Sequence, residues 1–162
     1  MFDGIRTVTA KEDLLSHLRL RLLVHLARKH GCTKMFLGDN ATRVAINILA
    51  LTSQGRGYTL PFEGTFSDKR FEGLELLRPM RDILSKEVGL YNHLQHVASV
   101  PLPTFTSLDP NPKASITHLT EDFVTTLQQG FPSTVGAITK TVEKFNFSGD
   151  LGHAVLCVIC HL

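Results

Sequence analysis

The sequence has no tryptophan, two tyrosines and three cysteines in 162 residues, and its charge is nearly balanced. Each shortage excludes something. An odd, sparse set of cysteines cannot form the framework of a secreted disulfide-stapled domain and fits a reducing compartment. No apolar run approaches the ~20 residues needed to cross a bilayer. The first residues, Met1 to Arg6, show no apolar secretory core, so neither a membrane span nor a signal peptide is expected. Seventeen Lys and Arg against 15 Asp and Glu give +2 with the histidines neutral, a balance too mild to establish or exclude nucleic-acid binding.

What is present is an ordinary core-forming composition, 43% hydrophobic and 20% charged. A chain of this length buries roughly 70% of its extended surface, so it needs no metal or disulfide staple. Thr9-Ala10-Lys11-Glu12 fits a capping box. A helix over 9–30 is predicted from there, with Leu15, Leu18, Leu22 and Leu26 on its inner face and Gly31 closing it. Cys32 to Leu37 reads as a strand. Asp39 or Asn40 can cap a helix from Ala41 to Ser53 with Val44, Ile48 and Leu51 inward, ended by Gly55-Arg56-Gly57. Tyr58 to Pro61 and Leu74 to Leu77 are predicted strands, with Phe62 to Gly73 a loop or hairpin connection between them. Ser85 is expected to cap a helix carrying Val88, Leu90 or Tyr91, Leu94 and Val97.

Two further helices follow, marked by Ile116, Leu119, Phe123 and Leu127, and by Val135, Ile138 and Val142. The expected organisation is a partial α/β domain over 9–98, a Pro-rich linker over 99–113, C-terminal helices over 114–147 and a tail over 148–162. Strands separated by helices favour a parallel sheet with right-handed crossovers.

Leu37-Gly38-Asp39-Asn40 falls between a strand and a helix, where α/β sheets bind ligands and helix N–H groups attract anions. The same residues also suit a plain turn with a helix cap. Cys157-Val158-Ile159-Cys160-His161 matches a haem-attachment spacing, a redox pair or half of a zinc site; the isolated chain is expected to leave it metal-free. Among the basic residues, Arg78 and Arg81 are the strongest candidates for a phosphate-contacting surface, because they follow a strand end.

Two blocks, Phe36 to Ile46 and Leu76 to Tyr91, resemble the tRNA-thiolating branch of the PP-loop ATPases. So do Gly55-Arg56-Gly57, Phe66-Ser67-Asp68 and Phe131-Pro132-Ser133-Thr134-Val135; the Arg78-Pro79-Met80-Arg81-Asp82 run is the most specific. The resemblance spans about Lys11 to Cys160. It implies a Rossmann-like PP-loop sheet with flanking helices, expected to lack its first strand and phosphate loop and to stop inside a Cys-rich module. It implies a cytoplasmic role in 2-thiolating the wobble uridine of tRNA, beside a catalytic paralogue that binds ATP and Mg²⁺. A thiocarboxylated ubiquitin-related modifier would supply the sulfur.

Active members of that branch carry Gly-His-Asn-x-Asp-Asp; the matched positions here are Gly38, Asp39, Asn40, Ala41, Thr42 and Arg43. A cation cannot ligate Mg²⁺. Their Cys-x-x-Cys positions hold Glu12 and Leu15, and no cysteine lies between Cys32 and Cys157. The resemblance therefore points to a non-catalytic subunit. Its ligand or tRNA surface would use Gly38, Asn40, Arg43, Arg78, Arg81 and Asp82. Zinc would sit at Cys157 and Cys160 only if further ligands completed the site. The competing expectations are a self-sufficient ATP-dependent tRNA sulfurtransferase and a truncated variant that only binds the partner.

Overall fold

The computed structural model describes residues 4–100 and 115–144. The first helix, α1, spans Val8–Lys29, and its cap is Thr7, whose hydroxyl accepts from the Ala10 N–H at 3.3 Å. Thr9 therefore lies inside the helix, and its hydroxyl accepts from the Ile116 N–H at 3.1 Å, a tie to a segment 107 residues away. Gly31 closes α1 with φ +67°. The Cys32 N–H reaches the Ala27 carbonyl and the Gly31 N–H the Arg28 carbonyl, the paired bonds of a left-handed helix terminus.

The buried face of α1 is not the expected one. Val24 is buried, with Leu20 and Ala27 beside it, against Phe71, Leu74 and Leu76. Leu18, Leu22 and Leu26 are exposed. Leucines sit on nearly every side of this helix, so periodicity alone cannot choose the packed stripe.

Strand β1, Lys34–Phe36, leads to α2, Ala41–Ser53. Asn40 caps α2 by accepting from the Arg43 N–H at 2.9 Å. Val44 and Ile48 point inward as expected, and Ala41, Ala45 and Ala50 are also buried, their small side chains letting neighbours approach closely. The expected strand at Tyr58–Pro61 is instead a 3-10 turn, Gly57–Thr59, running into the short helix α3, Leu60–Glu63. Pro61 sits in the first turn of α3, where a missing N–H costs nothing.

Strand β2, Ser67–Phe71, lies inside the stretch read as a connection, and pairs antiparallel with β3, Leu74–Leu77. Gly73, at φ +74°, makes the turn between them. The sheet order is β1-β3-β2, with β1 and β3 parallel in the register Met35 to Leu76. A bulge between Asp68 and Phe71 turns both residues inward.

Helix α4, Ser85–Leu94, buries none of its residues, so Leu90, Tyr91 and Leu94 face outward rather than into the core. Ser85 is its first helical residue, not its cap; the Glu87 carboxylate accepts from the Leu84 N–H at 2.7 Å and closes that end. Helix α5, Ile116–Gly130, buries Thr120 and Val124, while Leu119 and Phe123 are exposed. Helix α6, Thr134–Glu143, buries Val135 and Val142.

The core is divided. One cluster lies between α1 and the sheet; two others lie among the helices, joining Ala45 and Ile46 of α2 to Val124 and Val135, and Val44 and Ile48 to Leu60 and Val142.

Candidate functional site

The two parallel strands end side by side and feed two helix N-termini. β1 leads through Gly38-Asp39-Asn40 into α2, and β3 leads through Arg78 to Ile83 into α4. The two starts are clamped together. The Ser85 hydroxyl donates to Asn40 Oδ1 at 3.0 Å, the Ser85 N–H donates to the Thr42 hydroxyl at 3.1 Å, and the Ala41 N–H donates to the Ile83 carbonyl at 2.9 Å. Asn40 thus caps its own helix and holds the neighbouring one. Gly38 has no positive φ, and an added Cβ would meet only the end of Met80, at 3.8 Å.

Arg78 and Arg81 do not form the expected surface. Arg78 is 3% exposed. Its guanidinium contacts the Asp39 and Glu63 carboxylates at 3.3 and 3.4 Å and donates to the Phe62 and Thr65 carbonyls at 3.1 and 3.2 Å. Arg81 is also buried, donating to the Gly64 carbonyl at 2.8 Å and the Glu143 carboxylate at 2.7 Å. These side chains join the sheet to the helix cluster, so they position the loops around the strand ends. Asp82 projects into solvent, 3.8 Å from Arg81 at its nearest.

A second ion network stands behind Arg78. Asp68 is fully buried and receives the Arg70 guanidinium, whose Nη2 also donates to Glu63 at 2.7 Å. Arg70 lies 5.0 Å from the Phe62 ring centre and 5.8 Å from that of Phe71. Burial opposes its charge, but the hydrogen bond it donates to Asp68 and the attraction of Glu63 and Asp68 outweigh burial and raise its pKa.

Arg43 alone of the expected cations is exposed near the helix starts. It lines a groove of about 330 Å³. Thr42 and Ile46 share its α2 wall, Ser85 and Lys86 form the α4 wall, and Glu121, Thr125 and Gln128 of α5 form the third. Lys86, Thr125 and Gln128 were not legible as site residues, because only folding brings α5 beside the two helix starts. Among the described residues, neither Arg43 nor Lys86 has a carboxylate within 4.0 Å, unlike Arg78 and Arg81.

The family model for cytoplasmic tRNA 2-thiolation protein 2 matches residues 115–162. Proteins of that name are similar across most of the chain: 41% identical in Bos taurus over 99% of it, 46% in Mus musculus over 89%, and 42% in Homo sapiens over 100%. The chain belongs to the cytoplasmic tRNA 2-thiolation protein 2 family. It spans 32%, 28% and 33% of the length of those relatives.

The fold agrees. A U34-tRNA thiolase from Methanococcus maripaludis, NcsA with its [4Fe-4S] cluster, superposes with a TM-score of 0.68 at 17% identity, over 91% of this chain and 50% of the other. At that identity the likeness shows the fold alone, an α/β architecture of the PP-loop ATPase kind.

The described residues do not fit a cluster or a nucleotide-bound metal. Among the described residues the only cysteine is Cys32, and no three metal-binding side chains converge. The first turn of α2 has no acidic residue, and Asp39 is engaged by Arg78. Cys157 and Cys160 lie outside the described residues. No described helix is long and apolar enough to cross a membrane.

Proposed function

We propose that this chain serves the cytoplasmic machinery that 2-thiolates the wobble uridine of tRNA, as a non-catalytic subunit. In this reading it pairs with a catalytic paralogue and helps hold tRNA, while the paralogue binds ATP and Mg²⁺. Sulfur reaches the complex from a thiocarboxylated ubiquitin-related modifier.

The observation that carries the reading is the start of α2. In a chain homologous over most of its length to tRNA 2-thiolation proteins, the turn that would organise a metal holds Ala41, Thr42 and Arg43. The nearest carboxylate, Asp39, is tied down by Arg78. Oxygen ligands are what Mg²⁺ requires, and this turn supplies no carboxylate. Gly38 and Asn40 then serve to shape the turn, Arg43 remains available to a polyanion, and the exposed Asp82 can only accept hydrogen bonds. A structural zinc at Cys157 and Cys160 belongs to the same reading only with ligands from elsewhere.

The test is complementation. Cells lacking the family's 2-thiolation protein 2 receive this chain, and the thiolated wobble nucleoside is measured by mass spectrometry. Restored thiolation is expected. No thiolation despite stable expression, or uridine adenylation by the purified chain alone, overturns the proposal.

A further inference from the structure

Resting on that tRNA-linked reading, we infer that the groove between α2, α4 and α5 binds the ribose-phosphate backbone of RNA, with Arg43 and Lys86 on a phosphate and Glu121 with Gln128 on the ribose. The groove's size, about 330 Å³, is at the scale of a small-ligand cleft. Its content is selective. Two cations project into it without a carboxylate partner among the described residues, whereas the buried Arg70, Arg78 and Arg81 are each paired with carboxylates of the fold. Unneutralised cations lining a concave wall are the ordinary determinants of phosphate contact.

At the starts of α2 and α4 the Ala41, Arg43 and Ser85 N–H groups are already engaged by Ile83, Asn40 and Thr42, so the side-chain cations carry the contact to an anion. The acid in α4's first turn, Glu87, is folded back onto the Leu84 N–H and so does not oppose an anion there. Hydroxyls from Thr42, Ser85 and Thr125 complete a wall of hydrogen-bonding groups.

Glu121 distinguishes this groove from a simple anion site. A carboxylate in the wall repels a bare anion but accepts a hydrogen bond, and Gln128, one turn beyond Thr125, both donates and accepts. The chemistry that uses two cations and a carboxylate together is a phosphate attached to a sugar hydroxyl. The 2′-hydroxyl is the group that separates RNA from DNA. None of the lining groups is an aromatic side chain, so the groove tracks backbone rather than stacking a base.

The experiment measures binding of the full chain to a labelled tRNA anticodon stem-loop and to its 2′-deoxy counterpart by fluorescence anisotropy across a salt series. Arg43→Ala and Lys86→Ala are each expected to weaken RNA binding about five- to tenfold and to lower the slope of log affinity against log salt by about 0.7–0.9. Glu121→Ala is expected to shrink the RNA-over-DNA preference. Lys69→Ala, on an exposed strand residue away from the groove, serves as the control, and thermal melting confirms folding of each variant.

Wild-type affinity and slope in Arg43→Ala and Lys86→Ala overturn the inference, as does absence of RNA binding by the wild-type chain. Displacement of the RNA by inorganic phosphate or ATP at equal affinity also overturns it, assigning the groove to a free anion. The two readings fail separately. A chain that restores thiolation equally well as Arg43→Glu/Lys86→Glu keeps its function and loses this groove. Mutation-sensitive RNA binding without thiolation keeps the groove and loses the function.

Discussion

Replacing Asp68 by alanine should remove a large fraction of the stability of this fold. The Asp68 side chain has no solvent exposure and that of Arg70 has 4%. The carboxylate accepts from Arg70 Nε at 2.9 Å and Nη2 at 2.6 Å, and from the Arg70 backbone N–H at 3.0 Å. Its loss strands a buried guanidinium on one remaining carboxylate, Glu63, and leaves that N–H without its acceptor. Removing one partner of a buried ion pair costs about 3–5 kcal/mol. A domain of this size has on the order of 5–15 kcal/mol in total.

Urea denaturation followed by far-UV circular dichroism reads the effect directly. With a slope near 2 kcal/mol per molar, the midpoint should fall by about 1.5–2.5 M. Two companions sharpen the measurement. Asp68→Leu/Arg70→Met removes both charges and should recover most of the loss, since a buried pair is often replaceable by apolar residues. Lys69→Ala breaks only a 3.8 Å contact from a 78%-exposed side chain to Glu75 and should cost less than about 1 kcal/mol. An Asp68→Ala midpoint close to wild type, or a double variant weaker than the single, would refute the reasoning.

Other consequences follow from single contacts. Gly64 packs so closely on Val142 that an added Cβ would collide with it; Gly64→Ala should cost about 1–3 kcal/mol, and adding Val142→Ala should restore part of it in the same denaturation assay. The Ser67 hydroxyl donates to Glu75 at 2.6 Å, and that bond, with the nearby Lys69 and Lys34, holds the Glu75 carboxyl below its ordinary pKa against burial. A depressed carboxyl contributes stability above its unfolded pKa and loses it as pH falls through the folded value, so Ser67→Ala should raise the Glu75 pKa in an NMR titration and flatten this acid dependence. An unmoved titration would refute that assignment. Asn40→Ala removes the acceptor shared by the Arg43 N–H and the Ser85 hydroxyl and should cost about 0.5–2 kcal/mol by thermal melting; no change in melting would mean water replaces it.

Features with local causes are legible in the amino-acid sequence alone. Gly31 at φ +67° and Gly55 at φ +73° end their helices because a side chain is strained there, which makes glycine readable as a stop. Asn40 before an apolar helix is readable as a cap, and the spacing of Val44, Ile48, Val135 and Val142 gives their inward faces. The resemblance carried by Phe36 to Ile46 and Leu76 to Tyr91 identified the PP-loop class, because motif residues keep their order along the chain.

Tertiary structure decided what depends on distant partners. Leu20, Val24 and Ala27 rather than Leu18, Leu22 and Leu26 face the sheet, since α1 offers several apolar stripes and only the sheet chooses one. Ser67–Phe71 forms a strand despite its charges because Asp68 and Arg70 neutralise each other when buried. Arg78 and Arg81 join the interior through carboxylates and carbonyls up to 62 residues away, while Arg43 stays in solvent. An arginine has the same chemistry in either place; whether it meets a ligand or seals a core depends on which acceptors the fold brings within 3–4 Å of it.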